Sequence, residues 1–142
     1  MDKDLKRMII LENYQNPKNK QIPTEEGYVK INSNNVSCID NLDIYVKTEN
    51  DIIKDIKYEG EACVICISST SIITNLLIGK TIEEAKDILE NYDNMIEEKP
   101  YNKDILKEAL VYDDIYKQPS RKTCATLATR GLSKLLNETT EK

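Results

Sequence analysis

The sequence predicts an α+β fold, in which a small antiparallel three-stranded sheet packs against several helices. From residue 42 onward, apolar and polar residues alternate with the period of two that is typical of half-buried strands. After residue 67 the apolar residues recur at spacings of three and four, which is typical of amphipathic helices. Strands therefore come early and most helices late, as in α+β proteins. The chain has 142 residues and no linker rich in proline or glycine, so we expect one domain over residues 1–142.

The first predicted element is a helix over residues 3–15. Leu5, Met8 and Ile9 recur at helical spacing in this segment. Residues 16–35 are polar and irregular, and they predict no regular element.

An antiparallel hairpin is predicted next. Apolar residues alternate with polar ones over residues 42–47 and again over residues 55–59. The Glu-Asn-Asp sequence at residues 49–51 is a turn candidate between these two strands. A third short strand is expected over residues 62–67.

The second half of the chain predicts helices. Apolar residues at 72–77 form one helical face that ends at Gly79, a residue suited to the left-handed position after a helix. Thr81 and Glu84 have the spacing of a capping box, which predicts that another helix begins there. Two further helices are expected over residues 105–110 and 119–136.

Composition describes an ordinary globular protein with an aliphatic core. Apolar residues make up 39% of the chain and charged residues 32%, and Phe, Trp and His are absent. The net charge of −5 argues against nucleic acid as a partner, because phosphate binding needs a clustered basic face. The acidic start does not resemble a secretory signal, and no apolar stretch approaches the roughly 20 residues that span a bilayer. We therefore expect a cytoplasmic protein without membrane contact.

Four cysteines and no histidine restrict the chemistry that the chain can perform. In a reducing cytosol, cysteines more often serve as metal ligands, reactive thiols or core residues than as disulfides. Without histidine the chain lacks the usual general base and the commonest nitrogen ligand. Any metal must therefore be bound by thiolates and carboxylates.

Four residues that could bind a metal lie at the ends of predicted elements: Cys38, Asp40, Cys63 and Cys124. Cys124 is expected in the first turn of the last helix, where the helix dipole favours a thiolate. Three thiolates and one carboxylate suit tetrahedral zinc, but the long intervals between the cysteines match no compact zinc finger. The pattern leaves open that Cys63, Cys66 and Cys124 are small core residues, because free cysteine is often buried.

Several segments carry a resemblance to a known family. Residues 58–71 read YEGEACVICISSTS, residues 119–127 read PSRKTCATL, and a Gly-Lys pair at 79–80 lies between them. Together with residues 9–19, IILENYQNPKN, they resemble the SufU/IscU family, which is homologous to the N-terminal domain of NifU. The match runs through nearly the whole chain and implies a SufU/IscU-like fold.

The resemblance implies roles for individual residues. It places the three cysteines of the family on Cys38, Cys63 and Cys124, and its metal-site aspartate on Asp40. Cys66 falls where relatives usually carry serine, and we predict a core residue there rather than a ligand.

Arg121 corresponds to a basic family position three residues before the last cysteine. The resemblance implies that Arg121 orients a ligand or contacts a partner protein. A solvated charge at the start of a helix is the alternative interpretation.

Within the family, the SufU branch is the closer relative. The long stretch between Cys63 and Cys124 resembles an insertion that SufU proteins carry and IscU proteins lack. IscU proteins also place a histidine directly before the last cysteine, and this chain has none.

The resemblance to SufU implies a zinc-dependent sulfur acceptor in iron–sulfur cluster assembly. Such a protein binds Zn²⁺ and takes persulfide sulfur from a pyridoxal-phosphate cysteine desulfurase of the SufS type, for delivery toward downstream iron–sulfur scaffold proteins. Cys38 is the expected acceptor, because it lies on a loop. Any activity would be that of a sulfurtransferase component, with no independent hydrolytic or redox site.

Two other functions remain open at this point. One is a scaffold that holds iron, or a labile iron–sulfur cluster, on the same ligands and passes the cluster on. The other is a diverged interaction domain with a degenerate metal site.

The chain departs from the family pattern at four positions. Ile39 stands where the family usually has glycine, and because a β-branched residue resists positive φ, we expect a different loop path before Asp40. Ala62 replaces a glycine, Thr123 replaces a lysine and Asn13 replaces a histidine. These departures predict a change in partner choice.

Overall fold

The structure is a computed structural model that describes residues 1–35 and 39–140. Within these residues, one helix precedes three strands, the other helices follow them, and a run of short 3-10 helices separates the third α-helix from the fourth. In chain order the elements are α1 (Lys3–Gln15), β1 (Val29–Asn34), β2 (Asn41–Glu49), β3 (Ile52–Glu61), α2 (Val64–Leu77), α3 (Ile82–Ile96), the 3-10 helices (Lys103–Ile105, Lys107–Tyr112 and Ile115–Lys117), α4 (Pro119–Ala125) and α5 (Leu127–Thr140).

The strands form one antiparallel sheet with β2 in the middle. A tight turn at Asn50 and Asp51 joins β2 to β3, and the φ angles of these two residues are 52° and 63°. Asparagine and aspartate tolerate this left-handed conformation better than most residues, and it matches the twist of a two-residue hairpin. The predicted α+β fold and its hairpin are therefore confirmed.

The third strand is not the predicted one. Residues 64–67 form the first turn of helix α2 instead, after Ala62 and the N-cap Cys63, and almost every residue of this helix is buried. A short buried run cannot be told from a strand by apolar spacing, which explains the error. The third strand is β1, which is mostly exposed and carries lysine, asparagine and serine, so it lacks the apolar alternation that marks a strand.

Helix α2 is the central helix and packs against α1, α4 and α5. Its buried hydroxyl groups donate hydrogen bonds to carbonyls one turn earlier: Ser69 and Thr70 both donate to the carbonyl of Cys66, at 3.1 and 2.7 Å. The Ser68 hydroxyl also contacts the Tyr112 hydroxyl at 2.6 Å. Because these polar groups have partners, the helix can be buried without a large desolvation penalty.

Helix α1 is confirmed, but its buried face differs from the predicted one. Leu5 and Met8 are 44% and 66% exposed, whereas Ile9 packs against the core. The buried face also contains Asn13, whose amide oxygen accepts a hydrogen bond from the Ser71 hydroxyl at 2.7 Å and whose amide nitrogen donates to the Ile9 carbonyl at 2.9 Å. A buried amide therefore connects α1 to α2, and apolar spacing cannot reveal it.

The helices after α2 confirm the capping box and correct two boundaries. The Thr81 hydroxyl accepts from the amide of Glu84 at 3.1 Å, and the Glu84 carboxylate accepts from the amide of Thr81 at 3.0 Å. The segment 105–110 forms 3-10 turns rather than an α-helix. The last predicted helix breaks at Thr126, which separates α4 from α5.

The core lies between one face of the sheet and the helices that cover it. Leu42, Ile44 and Val46 of β2 point into it and are at most 1% exposed. None of the helices described here has the length and apolar character needed to cross a membrane.

We expect Asn13→Ala to lower the free energy of unfolding by about 1–3 kcal/mol, because the buried Ser71 hydroxyl loses its acceptor. Asn16→Ala is the matched control at an exposed site near the end of the same helix, and it should change stability by less than about 0.5 kcal/mol. Urea unfolding of both variants checks this prediction. Equal losses in the two variants would contradict it.

Candidate metal centre

The register of the sheet brings Asp40 and Cys63 to the same edge. Asn41, the first residue of β2, pairs with Glu61, the last residue of β3. Asp40 directly precedes this pair and Cys63 follows it by two residues, so both leave the sheet at one place. The amide of Asn35 donates to the carbonyl of Asp40 at 2.9 Å, which fixes the backbone at the start of β2.

Gly60 permits the close approach of the two strands at this edge. Its φ is +144°, and a Cβ atom at this position would lie 2.1 Å from the carbonyl oxygen of Asn41. No side chain can occupy that space unless the backbone moves. The glycine therefore sets the distance between the strand ends that carry Asp40 and Cys63.

Helix α2 holds the Asp40 carboxylate at its N-terminus. Cys63 is the N-cap residue, and its amide donates to Asp40 Oδ1 at 2.8 Å. The helix dipole favours an anion in this position. Asp40 is 1% exposed, so the chain buries a carboxylate beside the sulfur of Cys63, which lies 3.8 Å from Asp40 Oδ2.

Cys124 completes the cluster from the other side of the chain. The Sγ atoms of Cys63 and Cys124 and one carboxylate oxygen of Asp40 all lie within 4.8 Å of one another. Both cysteines are half-buried. The structure thus brings three of the four predicted ligands together, whereas Cys38 lies outside the described residues.

The position of Cys124 in its helix corrects one expectation. Cys124 lies near the C-terminal end of α4 rather than in its first turn, so the helix dipole does not favour its thiolate. Burial, followed by hydrogen bonds with Asp40 and Cys63, raises the pKa of the Cys124 thiol far above its ordinary value. Cys63 is the cysteine that lies at a helix N-terminus.

The donor set fits a tetrahedral divalent cation. In a tetrahedral site, two thiolates that each lie about 2.3 Å from zinc are roughly 3.8 Å apart. The three ligand atoms here lie within 4.8 Å of one another, so they are at most about 1 Å farther apart than zinc requires. Rotation about the side-chain bonds covers such a difference. A bound divalent cation would also offset the buried charge of Asp40 and favour deprotonation of the thiols.

Arg130 supports Cys124 and was not predicted from the sequence. Its guanidinium donates to the carbonyl of Thr123 at 3.0 Å and to that of Thr126 at 3.2 Å, on either side of Cys124. The hydroxyl of Tyr92 donates to the adjacent Ala125 carbonyl at 2.8 Å. A basic residue shortly after a helix end is the available sequence signal for this contact.

Arg121 lies in the first turn of α4, with an exposed side chain. Its amide donates to the carbonyl of Gln118 at 2.8 Å. The structure therefore leaves both interpretations of Arg121, a partner contact and a solvated charge, as predictions.

A shallow groove borders the cluster on the side of α1. Its lining is mixed, and consists of Tyr14, Pro17, Ile39, Gly60, Ala62 and Ile67 together with the polar residues Gln15, Lys20 and Glu61. Ile39 is 68% exposed and belongs to this surface. Ile39 and Ala62, two departures from the family pattern, thus lie in the groove. The carboxylate of Asp40, the residue after Ile39, nevertheless belongs to the cluster with Cys63 and Cys124.

Comparison with known families gives one match over most of the chain. The model described as "NifU-like N terminal domain" matches residues 6–125. Among curated proteins, the zinc-dependent sulfurtransferase SufU of Bacillus subtilis is 34% identical over 131 residues, which is 92% of this chain and 88% of that protein. The iron–sulfur cluster assembly scaffold protein IscU of Thermotoga maritima is 30% identical over 88% of each chain.

Solved structures of similar shape agree with this match. A putative iron–sulfur cluster assembly scaffold protein for the SUF system, from Fervidobacterium islandicum, superposes with a TM-score of 0.81 at 29% identity and covers 89% of this chain and 95% of its own. An N-terminal NifU-like protein from Brucella abortus has a TM-score of 0.83 and covers 94% and 93%, but at 18% identity it supports the fold alone.

We expect Gly60→Ala to destabilise the protein more than Gly79→Ala. Both glycines have positive φ, which costs about 1–3 kcal/mol for alanine, but a Cβ at Gly79 meets nothing within 4 Å. The new methyl at Gly60 would collide with the Asn41 carbonyl. Urea unfolding of the two variants measures the difference, and equal losses would show that the strand ends do not constrain each other at Gly60.

Proposed function

Because this chain belongs to the family of NifU-like N-terminal domains, we propose that it is an iron–sulfur cluster assembly protein that binds zinc and accepts persulfide sulfur. The observation that carries the proposal is the convergence of Asp40, Cys63 and Cys124. The donor is a pyridoxal-phosphate cysteine desulfurase of the SufS type. The relative named as a zinc-dependent sulfurtransferase supports this choice within the family.

The proposed ligands of zinc are Cys38, Asp40, Cys63 and Cys124. Sulfur donors with one carboxylate suit zinc, and the chain offers no histidine in their place. In this proposal the amide of Cys63 orients the Asp40 carboxylate, and Arg130 holds the end of the helix that carries Cys124. Bound zinc would keep the thiolates deprotonated and ordered at neutral pH.

Cys38 is the proposed sulfur acceptor. Its thiolate attacks the outer sulfur of the persulfide on the desulfurase, and the cysteine thiolate of the desulfurase leaves. The new S–S bond on Cys38 replaces the one that breaks, so no external oxidant or reductant is needed. The product is a persulfide on this chain, which delivers sulfur to downstream iron–sulfur scaffold proteins.

The groove beside the cluster is the proposed contact for the desulfurase. It is open, it presents both apolar and polar side chains, and it adjoins the strand ends that carry Asp40 and Cys63. Ile39 and Ala62 lie in it, so their departure from the family pattern would alter which desulfurase fits. We include Arg121 as an auxiliary contact, because its exposed side chain lies on the helix of Cys124. The chain acts as one domain in a reducing cytoplasm, where the thiols stay free.

A cluster scaffold is the second candidate function. The same thiolates can bind iron, and the relative from Thermotoga maritima is named a scaffold. The absence of histidine and the long segment between Cys63 and Cys124 favour the sulfur acceptor. A diverged interaction domain with a degenerate metal site is the third candidate.

Metal analysis after anaerobic purification separates these candidates. We expect one zinc per chain and a colourless protein, and Asp40→Asn should lower the affinity for zinc by at least about tenfold, because one charged ligand is lost. Iron with acid-labile sulfide and visible absorbance would favour the scaffold. A chain that binds neither metal would contradict the proposal.

Radioactive sulfur identifies the acceptor. With a cognate desulfurase and sulfur-35 cysteine, we expect label on the wild-type chain and its loss to background in Cys38→Ala. Cys66→Ser is the matched control, because Cys66 is a buried cysteine outside the proposed ligand set. Undiminished labelling of Cys38→Ala would assign the acceptor role to another residue.

A further inference from the structure

The break between α4 and α5 frees two backbone carbonyls. Helix α4 ends at Ala125 and α5 begins at Leu127, and Thr126 between them has φ −114° and ψ 7°. In an unbroken helix, each carbonyl accepts a hydrogen bond from the amide four residues later. Thr123 would then accept from Leu127, and the next carbonyl but one would accept from Thr129. Neither of these bonds is present in the helices that the structure describes.

The two freed carbonyls are the ones that accept hydrogen bonds from side chains. The Arg130 guanidinium donates to the carbonyl of Thr123 at 3.0 Å. The Tyr92 hydroxyl donates to the carbonyl of Ala125 at 2.8 Å. Because unpaired carbonyls inside a fold are costly, these donors compensate for the bonds that the break removes. One donor comes from α5 and the other from α3, so both helices stabilise the break.

Two further contacts support the backbone at the break. The Thr126 hydroxyl donates to the carbonyl of Lys122 at 2.8 Å, a contact that often bends helices. The Lys122 ammonium in turn contacts the carboxylate of Glu97 on α3 at 3.1 Å. Helix α3 therefore contacts the segment around the break at two points, through Glu97 and through Tyr92.

Asp93 of α3 lies close to the Arg130 guanidinium. Burial, followed by the charge of Glu97, raises the pKa of Asp93, although the charge of Arg130 and a hydrogen bond with Thr129 act in the opposite direction. The Oδ1 atom of Asp93 is closed to solvent and has no hydrogen-bond partner among the described residues. A nearby cation is thus needed to offset this carboxylate, and the attraction holds the guanidinium beside the break.

The break also changes the direction in which Cys124 faces. In one continuous helix, residues three and four apart share a face, so Cys124 would share the face of Leu127 and Ala128. These two residues are at most 2% exposed and belong to the core. Cys124 is instead half-buried, with its sulfur within 4.8 Å of Cys63 Sγ and a carboxylate oxygen of Asp40. The break therefore separates this cysteine from the apolar face of α5.

We propose that Arg130 and Tyr92 are positioning residues for Cys124. They replace the two lost helical bonds and so stabilise the broken form of the helix over a continuous one. The broken form presents Cys124 to the cluster. The apolar pattern that predicted one helix over residues 119–136 supports a continuous form as the competing state. The consequence for metal binding rests on the proposed function, whereas the role at the break depends only on these contacts.

Amide hydrogen exchange in the metal-free full chain tests the proposal at the break. In Arg130→Ala the Thr123 carbonyl can accept from Leu127, so we expect this amide to exchange about tenfold more slowly than in the wild type. In Arg130→Ala combined with Tyr92→Phe, the Thr129 amide should slow as well, because the second carbonyl loses its phenol donor. A general loss of stability has the opposite sign, because it speeds exchange throughout the chain.

Lys134→Ala is the matched control for the exchange experiment. It removes an exposed cation one turn further along α5, away from the break, and should leave exchange at Leu127 and Thr129 unchanged. Unchanged or faster exchange at Leu127 in Arg130→Ala would overturn the proposal. Arg130→Met, which keeps an apolar stem without donors, replaces the alanine variant if that variant does not fold.

Zinc binding measures the consequence at the cluster. We expect Arg130→Ala to lower the affinity for zinc by about 10–100-fold, as the loss of a contact behind a ligand typically does, whereas Lys134→Ala should keep the wild-type affinity. Equal affinities of the wild type and Arg130→Ala would refute the positioning role. If the wild type itself binds no metal, the proposed function fails, and exchange at Leu127 then decides the present inference alone.

Discussion

The hydrogen bond from the amide of Cys63 to the carboxylate of Asp40 connects the main parts of the structure. It joins the start of β2 to the N-terminus of α2, and Gly60 permits it by letting β3 approach Asn41. The bond satisfies an N-terminal amide of the central helix and fixes a buried anion in the same place. The sheet, the helix and the candidate metal centre thus share one contact.

The sequence predicted those parts whose signals are local. The hairpin followed from alternation and from an Asn-Asp turn, and the start of α3 followed from its capping box. The meeting of Asp40 and Cys63 with Cys124 depends on register and on the packing of distant helices, and no local pattern encodes either. The resemblance to a family was therefore needed to select these residues.

Three of the errors, at α2, at β1 and at Asn13, have a common physical cause, because each concerns residues whose environment is atypical for their class. The helix α2 is apolar or hydroxyl-bearing on every side, so it has no period, and β1 is a polar edge strand. Asn13 is buried because it bonds Ser71, although the apolar pattern placed Met8 on the buried face. Cys66, by contrast, was correctly placed in the core.

The short helix α4 has a consequence for the order of events during synthesis. A helix this short is not stable alone, since isolated helices need about 12–15 residues. Tyr92 of α3 and Arg130 of α5 bond the carbonyls around Cys124 and so help to hold it in place. The proposed ligand set would therefore remain incomplete on the ribosome until the last helix has emerged and folded, so a partly made chain would not bind a metal with all the proposed ligands.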